Sequence, residues 1–312
     1  MITPEQAVDA INERFGRHPG YRALHAKGTL CKGSFTATPE AARLTRAAHF
    51  QGQPVAVTVR LSNGSGDPSW PDYVPDVRGM ATTFHLPDGS RTDVVALTAP
   101  RFPGRTPDAF VNLLRANRPG PARLLRLPAF LATHPRALGA GLASVAALKP
   151  PASYASCSYY AIHAFKWIDA GGGERYVRYT WLPEASEPSI SKREAKKRGP
   201  DYLRREIGER LAREPVHFTL ELQLAGPGDP VDDPSAVWRG ERETVAAGTL
   251  ELTGLEPGGE AGDEGLVFDP TRVTDGIELS DDPVLRFRPR AYAVSFERRS
   301  GVARPPDPDS EP

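Results

Sequence analysis

The chain has 312 residues, 39% hydrophobic and 25% charged, with 39 basic and 39 acidic residues that balance to a formal net charge of zero. This length and composition suit a globular chain with a sizeable core and exclude a disordered one. The charge balance supplies no global basic field, so nucleic acid is not an expected partner.

The first element in chain order is a helix over 3–15, with Thr3 as N-cap and Pro4 in the first turn. Residues 19–36 read as a Gly-rich extended arm. A second Thr-Pro start predicts a helix over 38–49. PVAVTVRLS (54–62) alternates and is β-branched, so it reads as a strand. GMATTFHL (79–86) and TDVVALTA (92–99) flank the turn PDGS and form a predicted hairpin. From 106 to 148 the pattern is helical. Prolines at 119, 121, 128 and 135 predict short helices joined at those positions. YASCSYYAIHAFKWI (154–168) and ERYVRYTWL (174–182) are predicted strands joined by AGGG. A charged helix follows over 191–213, interrupted near Gly199-Pro200. HFTLELQLA (217–225) and TVAAGTLELTGL (244–255) are further strands. Residues 281–299 close the ordered part, and the end of the chain reads as a flexible tail over 303–312. Sequential hairpins with helices inserted between them predict an α+β fold whose antiparallel sheet closes into a barrel.

Several classes find no support. The cysteines, Cys31 and Cys157, lack any CxxC or Cys/His zinc spacing and are expected to be free and buried. The N-terminus lacks a hydrophobic signal core, and no apolar run is long enough to span a bilayer, so a cytoplasmic location without membrane insertion is expected. The segment 116–153 is proline-studded and partly apolar, compatible with a lid, a subunit contact or a membrane-touching patch. No phosphate-binding glycine loop, HExxH pair or GxSxG elbow occurs.

Two phrases stand out. YRALHAKG places His25 in a turn-like segment at 21–28. RFRPRAYAVSFERR at 286–299 places Arg288 and Tyr292 four residues apart. If Pro289 opens a helix, that spacing puts them on one face. A guanidinium against a phenol oxygen favours the phenolate, which tyrosine, with a reference pKa of about 10, otherwise does not form at neutral pH. Read singly, each motif is compatible with ordinary packing.

Together with three further segments, these phrases resemble the haem-containing catalase superfamily, and within it the short catalase-related peroxidases. The segments are RALHAKG at 22–28, VRLSNGSGDP at 59–68, PDVRGMATTFHLPDG at 75–89, YYAIHAFKWIDAGGGERYVRYTW at 159–181, and R-x-x-x-Y at 288–292. They appear in the family's order, from about residue 20 to residue 299. The resemblance implies one haem domain over 1–302, built on an antiparallel β-barrel of about eight strands with inserted helices. It implies haem b, with Tyr292 as the iron ligand and Arg288 holding its anion. His25 is the implied distal acid–base group, acting through a ferryl intermediate, and Ser62 fixes its tautomer. Arg22, Arg60 and Arg299 match positions that pair with haem propionates. Leu24 lines the distal side, Phe110 stacks on the porphyrin, and His163 lies on the proximal side. In VALTAPRF, Thr98 stands where full-size catalases carry a peroxide-orienting asparagine.

The implied activity is reduction of hydrogen peroxide or organic peroxides with a small organic electron donor, and a weak catalase activity beside it. A homo-oligomer is a further expectation. Two other readings remain open at this point. One is a fatty-acid hydroperoxide dehydrase or isomerase on the same scaffold, against which Leu24 argues. The other is a non-enzymatic barrel that binds haem or an apolar ligand.

Overall fold

The computed structural model describes residues 1–238, 240–256 and 265–301. The tail expected over 303–312 lies outside these residues. The chain runs α1 (Pro4–Phe15), β1 (Gly28–Ala37), α2 (Pro39–Leu44), β2 (Val55–Asn63), β3 (Arg78–His85) and β4 (Arg91–Leu97). Three helices follow, α3 (Pro107–Ala116), α4 (Arg123–Thr133) and α5 (Pro135–Ala143). Then come β5 (Tyr159–Ile168), β6 (Glu174–Pro183), α6 (Lys192–Arg198), α7 (Tyr202–Leu211), β7 (Val216–Leu224), β8 (Thr244–Leu255), β9 (Ile277–Leu279) and α8 (Pro283–Ser300).

Strands β1 to β8 form a closed antiparallel barrel. Two meanders, β1 to β4 and β5 to β8, join through β1–β8 pairing on one side and a Leu97–Tyr160 pair on the other. Closure removes the free edges that a long, hydrophobic sheet would otherwise expose. The interior is filled by side chains. Phe35 lies edge-on to Phe50, Phe84 and Trp181, with ring centroids 5.2 to 6.0 Å apart. A Cβ at Gly248 would lie 2.3 Å from the Phe35 ring, so only glycine admits that ring. A ligand held inside the barrel, as in the non-enzymatic reading, meets this aromatic packing.

Most predicted elements are present, and the differences have local causes. The Gly-rich arm is in fact barrel strand β1 from Gly28 onward, because its backbone pairs with β2 and β8. The helix expected over 38–49 stops at Leu44, and a separate short turn covers Ala48–Phe50. The strand expected from residue 154 begins at Tyr159, after a turn at Tyr154–Ser156. Pro128 lies inside α4 rather than between helices. Leu124, four residues earlier and left without its helical donor, is 80% exposed, so water can satisfy its carbonyl. Pro289 likewise does not open a helix. α8 starts six residues earlier, where Asp282 caps the N–H groups of Val284 and Leu285 and Pro283 fills the first turn. Cys31 and Cys157 are free and buried as expected, and burial pushes their thiols up to about 12 and about 11.

His49 is buried against Phe50 and Phe84, with Nδ1 lacking a hydrogen-bond partner. Burial pushes its pKa down to about 3. The neutral ring therefore stabilises the fold fully above the unfolded value near 6.5, and that contribution fades as pH falls from there toward 3. At pH 5 the loss from this one ring is about 2 kcal/mol. His49→Phe is expected to reduce the drop in unfolding free energy between pH 7 and pH 5, read from urea titrations, by that amount. An unchanged drop would exclude His49 as an acid-sensitive element.

Candidate functional site

The site forms at the barrel rim where β1 begins and β2 ends. His25 lies just before β1 and has φ +56°, the only positive φ outside glycine among the described residues. Such a conformation is held only where the surroundings fix it. Here the surroundings are extensive. His25 N donates to Gly64 O, Ala26 N to Ser65 O, and Asn63 N to Lys27 O. Arg60, buried on β2, donates to His25 O at 2.9 Å and Ala26 O at 3.3 Å. The strap carrying His25 is thus clamped along the loop that follows β2.

That loop has its own anchor. Asp72 is 1% exposed and accepts from Asn63 Nδ2 at 2.7 Å and from Leu203 N at 2.8 Å. It also pairs with Lys27 Nζ at 2.9 Å. Arg78 donates to Asp72 O, and Tyr154 Oη donates to Asn63 Oδ1 at 2.8 Å. A buried network with this many members paired favours one conformation over several.

The His25 ring is half-buried, and its Nδ1 lies 3.0 Å from Ser62 Oγ. Burial pushes its pKa down to about 3, reinforced by the positive charges of Arg60, Arg288 and Arg22. The imidazole is therefore neutral at neutral pH and able to accept a proton. Gly79 of β3 faces Ser62 across the sheet. A Cβ at Gly79 would lie 2.7 Å from both His25 Nδ1 and Ser62 Oγ. Gly79→Ala is therefore expected to push the imidazole off Ser62 while leaving the barrel formed. If His25 serves peroxide turnover, a displacement of this kind is expected to cost about tenfold to a hundredfold. Circular dichroism beside a donor-oxidation assay checks it, and an unaltered rate would show that the Ser62 contact is dispensable.

Opposite the strap lies α8. Arg288 Nη1 donates to Tyr292 Oη at 2.9 Å. One turn on, Ser295 Oγ accepts from Ala23 N at 3.1 Å. The two phrases singled out in the sequence are thus in direct contact across 272 positions. Arg22 and Arg299 converge on one acceptor, Leu266 O, at 2.8 and 2.6 Å. Helix α8 is held from behind by α1 and α3. Phe287 and Ile2 pack on Ala7, Ala10 and Val111, and Arg298 pairs with Asp9 at 2.7 Å.

His163 sits where the β5–β6 register shifts between Ala161 and Phe165, an irregularity that re-aims a strand side chain. It is 1% exposed, and its Nδ1 lies 2.6 Å from Asp282 Oδ2. Burial and the Arg288 charge push its pKa down to about 4, against the opposing pull of Asp282. A neutral ring facing a carboxylate must donate from Nδ1. Its Nε2 is then an acceptor, buried and without a partner. Asp282 serves twice, capping α8 and orienting His163. Strand β9 delivers it there by pairing with β5 over Phe165–Trp167.

The remaining predicted residues are placed as follows. Leu24 is half-buried in the strap between Ala23 and His25. Thr98 is buried, and its Oγ1 accepts from Arg78 N at 2.9 Å. Phe110 packs on Phe102 with centroids 5.1 Å apart, on α3, which lies against α8. Gly79, Asp72 and Asp282 were not among the residues singled out from the sequence. The Asp-Pro pair at 282–283 is a readable helix start. The other two become visible only through cross-strand and long-range contacts.

This barrel and its rim define the class. The chain belongs to the Catalase family, whose sequence profile matches residues 10–304. It is 50% identical over 303 residues to the catalase-related peroxidase of Mycolicibacterium paratuberculosis, covering 97% of this chain and 96% of that one. It is 35% identical over 303 residues to the catalase-related peroxidase of Synechococcus elongatus, covering 96% and 89%. The crystal structure of a fungal catalase shares the fold with a TM-score of 0.81 at 24% identity, over 92% of this chain and 61% of that one.

Proposed function

We propose that this chain holds haem b between His25 and Tyr292 and reduces hydrogen peroxide or organic peroxides with electrons from a small organic donor. As a catalase-family oxidoreductase, it acts on peroxide. The observation that carries the haem assignment is the pairing of two preset units across one contact. The strap that carries His25, set by Ser62, and the helix that carries Arg288–Tyr292 are tied together by Ala23 N–H donating to the Ser295 hydroxyl.

The donor set fits such a group. Tyr292 Oη is an oxygen ligand with a permanent cation already 2.9 Å away, the setting an anionic ligand oxygen needs. Arg22 and Arg299 bring two guanidinium groups together at Leu266, suited to carboxylate recognition. Arg60 donates to the backbone of the strap, so it positions His25 as well as adding positive charge. When bound, haem iron supplies the redox chemistry that cleaves the peroxide O–O bond.

The protein residues manage protons. With Nδ1 committed to Ser62, Nε2 of His25 is left to take the proton from the near peroxide oxygen. Returning it to the far oxygen lets that atom leave as water rather than hydroxide. The acceptor must be neutral beforehand, as the depressed pKa of His25 ensures. Asp282 fixes the His163 ring, and the Arg288 charge reaches both histidines. Thr98 presents one hydroxyl, whose oxygen is already engaged by Arg78 N–H. That leaves a single donor for orienting a second peroxide, so catalase activity is weak beside peroxidase activity.

Titrating the purified chain with haemin tests this. Uptake of one equivalent, with peroxide-dependent oxidation of a phenolic donor exceeding oxygen release, is the expected result. Absence of haem uptake overturns the proposal. Oxygen release that outruns donor oxidation overturns the Thr98 assignment alone.

A further inference from the structure

Helix α4 stands apart from the rest of the surface. Four of its eleven residues are leucine and one is phenylalanine, yet none is buried. Leu124 and Leu125 are 80% and 78% exposed. Leu138, Leu142 and Val145, on and just after α5, are exposed at 43%, 67% and 55%. These five make up more than half of the nine exposed large hydrophobic residues among the described residues, all within 22 positions. Scattered exposed leucines need no explanation, but this many on two helices in contact with each other mark a surface that something covers.

Charge selects what covers it. Between Asp108 and Asp169 the chain contains no acidic residue, while Arg115, Arg118, Arg123, Arg126, Arg136 and Lys149 fall in that interval. Glu13 and Asp233, from other elements, pair with Arg118 and Arg136. Arg123 and Arg126, which bracket the Leu124-Leu125 pair, donate to neutral acceptors, Asn117 Oδ1 and Arg118 O. The leucine end of the patch is thus cationic in a chain whose net charge is zero. A second copy docking the same face would set these arginines against their own kind. An anionic surface would attract them while taking up the leucines. Among the described residues no helix is long and apolar enough to cross a membrane. Short helices with leucines flanked by arginines suit the headgroup layer instead, apolar side chains inward and guanidinium groups at the phosphates.

We propose that α4 and α5 form a docking surface for an anionic lipid bilayer, with Leu124, Leu125, Leu142 and Val145 entering the interface and Arg123 and Arg126 meeting lipid phosphates. The test is flotation of the full chain with vesicles of phosphatidylcholine alone or mixed with phosphatidylglycerol. Recovery is expected to be about tenfold greater on the anionic vesicles at low salt and to fall at high salt. The variant Leu124→Ser/Leu125→Ser loses binding about tenfold, and Arg123→Gln/Arg126→Gln loses the preference for anionic lipid. Both keep wild-type donor oxidation, since these exposed side chains lie outside the peroxide site. Equal or absent recovery on the two vesicle types overturns the proposal, as does an unaffected serine variant. Sedimentation provides the alternative outcome. A dimer that the serine variant converts to monomer, without vesicle binding, assigns the face to a second copy and overturns the lipid reading.

Discussion

Tyr292→Phe is expected to lower haem-dependent peroxide turnover by more than about a hundredfold while the protein stays folded. The substitution removes one oxygen atom from a half-buried ring on α8 and keeps the ring itself. The lost hydrogen bond, from Arg288 Nη1 at 2.9 Å, is worth about 1 to 3 kcal/mol because one partner is charged. The helix remains capped by Asp282 and packed on α1 and α3. Barrel formation should therefore be nearly unaffected. Turnover is another matter. Losing a partner one bond removed from a metal costs about tenfold to a hundredfold, and Tyr292 is the proposed ligand itself, so the loss should exceed about a hundredfold. The charge-transfer bands of an oxygen-ligated ferric haem should vanish with it. Absorption spectra of the haemin-loaded variant, read beside circular dichroism and donor oxidation, decide the point. Retained bands with full turnover would remove Tyr292 from the site.

How far these features could be read beforehand depends on how local their causes are. Helix α1 was legible because Thr3 and Pro4 mark a helix start within two residues, to which Gln6 adds a capping box with Thr3. Strands β2 and β3 were legible because their side chains alternate or are β-branched. Strand β1 was read as an arm because Gly28 and Gly33 look like loop residues. Their actual constraint is crowding, by the Arg60 guanidinium at Gly28 and by Glu251 O at Gly33. That crowding comes from β2 and β8, so no local pattern reports it. Strand β9 is three residues long and is defined by its pairing with β5. The Arg288–Tyr292 contact depended only on helical spacing, and it survives the misplaced helix start at Pro289. The site as a whole was reachable through the resemblance of five ordered motifs to a family. Its supports were not. Asp282 meets His163 across 119 positions, and Asp72 meets Leu203 across 131.

The second large effect belongs to His25. Asn is the informative replacement, because it tolerates a positive φ better than most residues and can keep the strap conformation at +56°. It can still hydrogen-bond Ser62 but cannot carry a proton. His25→Asn is expected to lower peroxide reduction by about 10²- to 10⁴-fold, the range for a positioned acid–base group. The pH profile separates this from a packing defect. His25 accepts a proton only in its neutral form, and its pKa is held down to about 3 by burial and by three arginines. A bound haem covering the ring would act in the same direction. Initial rates after a rapid pH drop should therefore stay level from pH 7 to about pH 5, well below the ordinary histidine value of about 6.5. The residual rate of the Asn variant should show no acid limb from this group at all. Equilibrium stability, by contrast, should begin to fall below about pH 6.5 in both proteins, because His49 and His163 are also held neutral by burial. A wild-type rate that drops by half near pH 6.5, in step with that loss of stability, would mean that the strap leaves His25 solvated. Its depressed basicity could then play no part in catalysis.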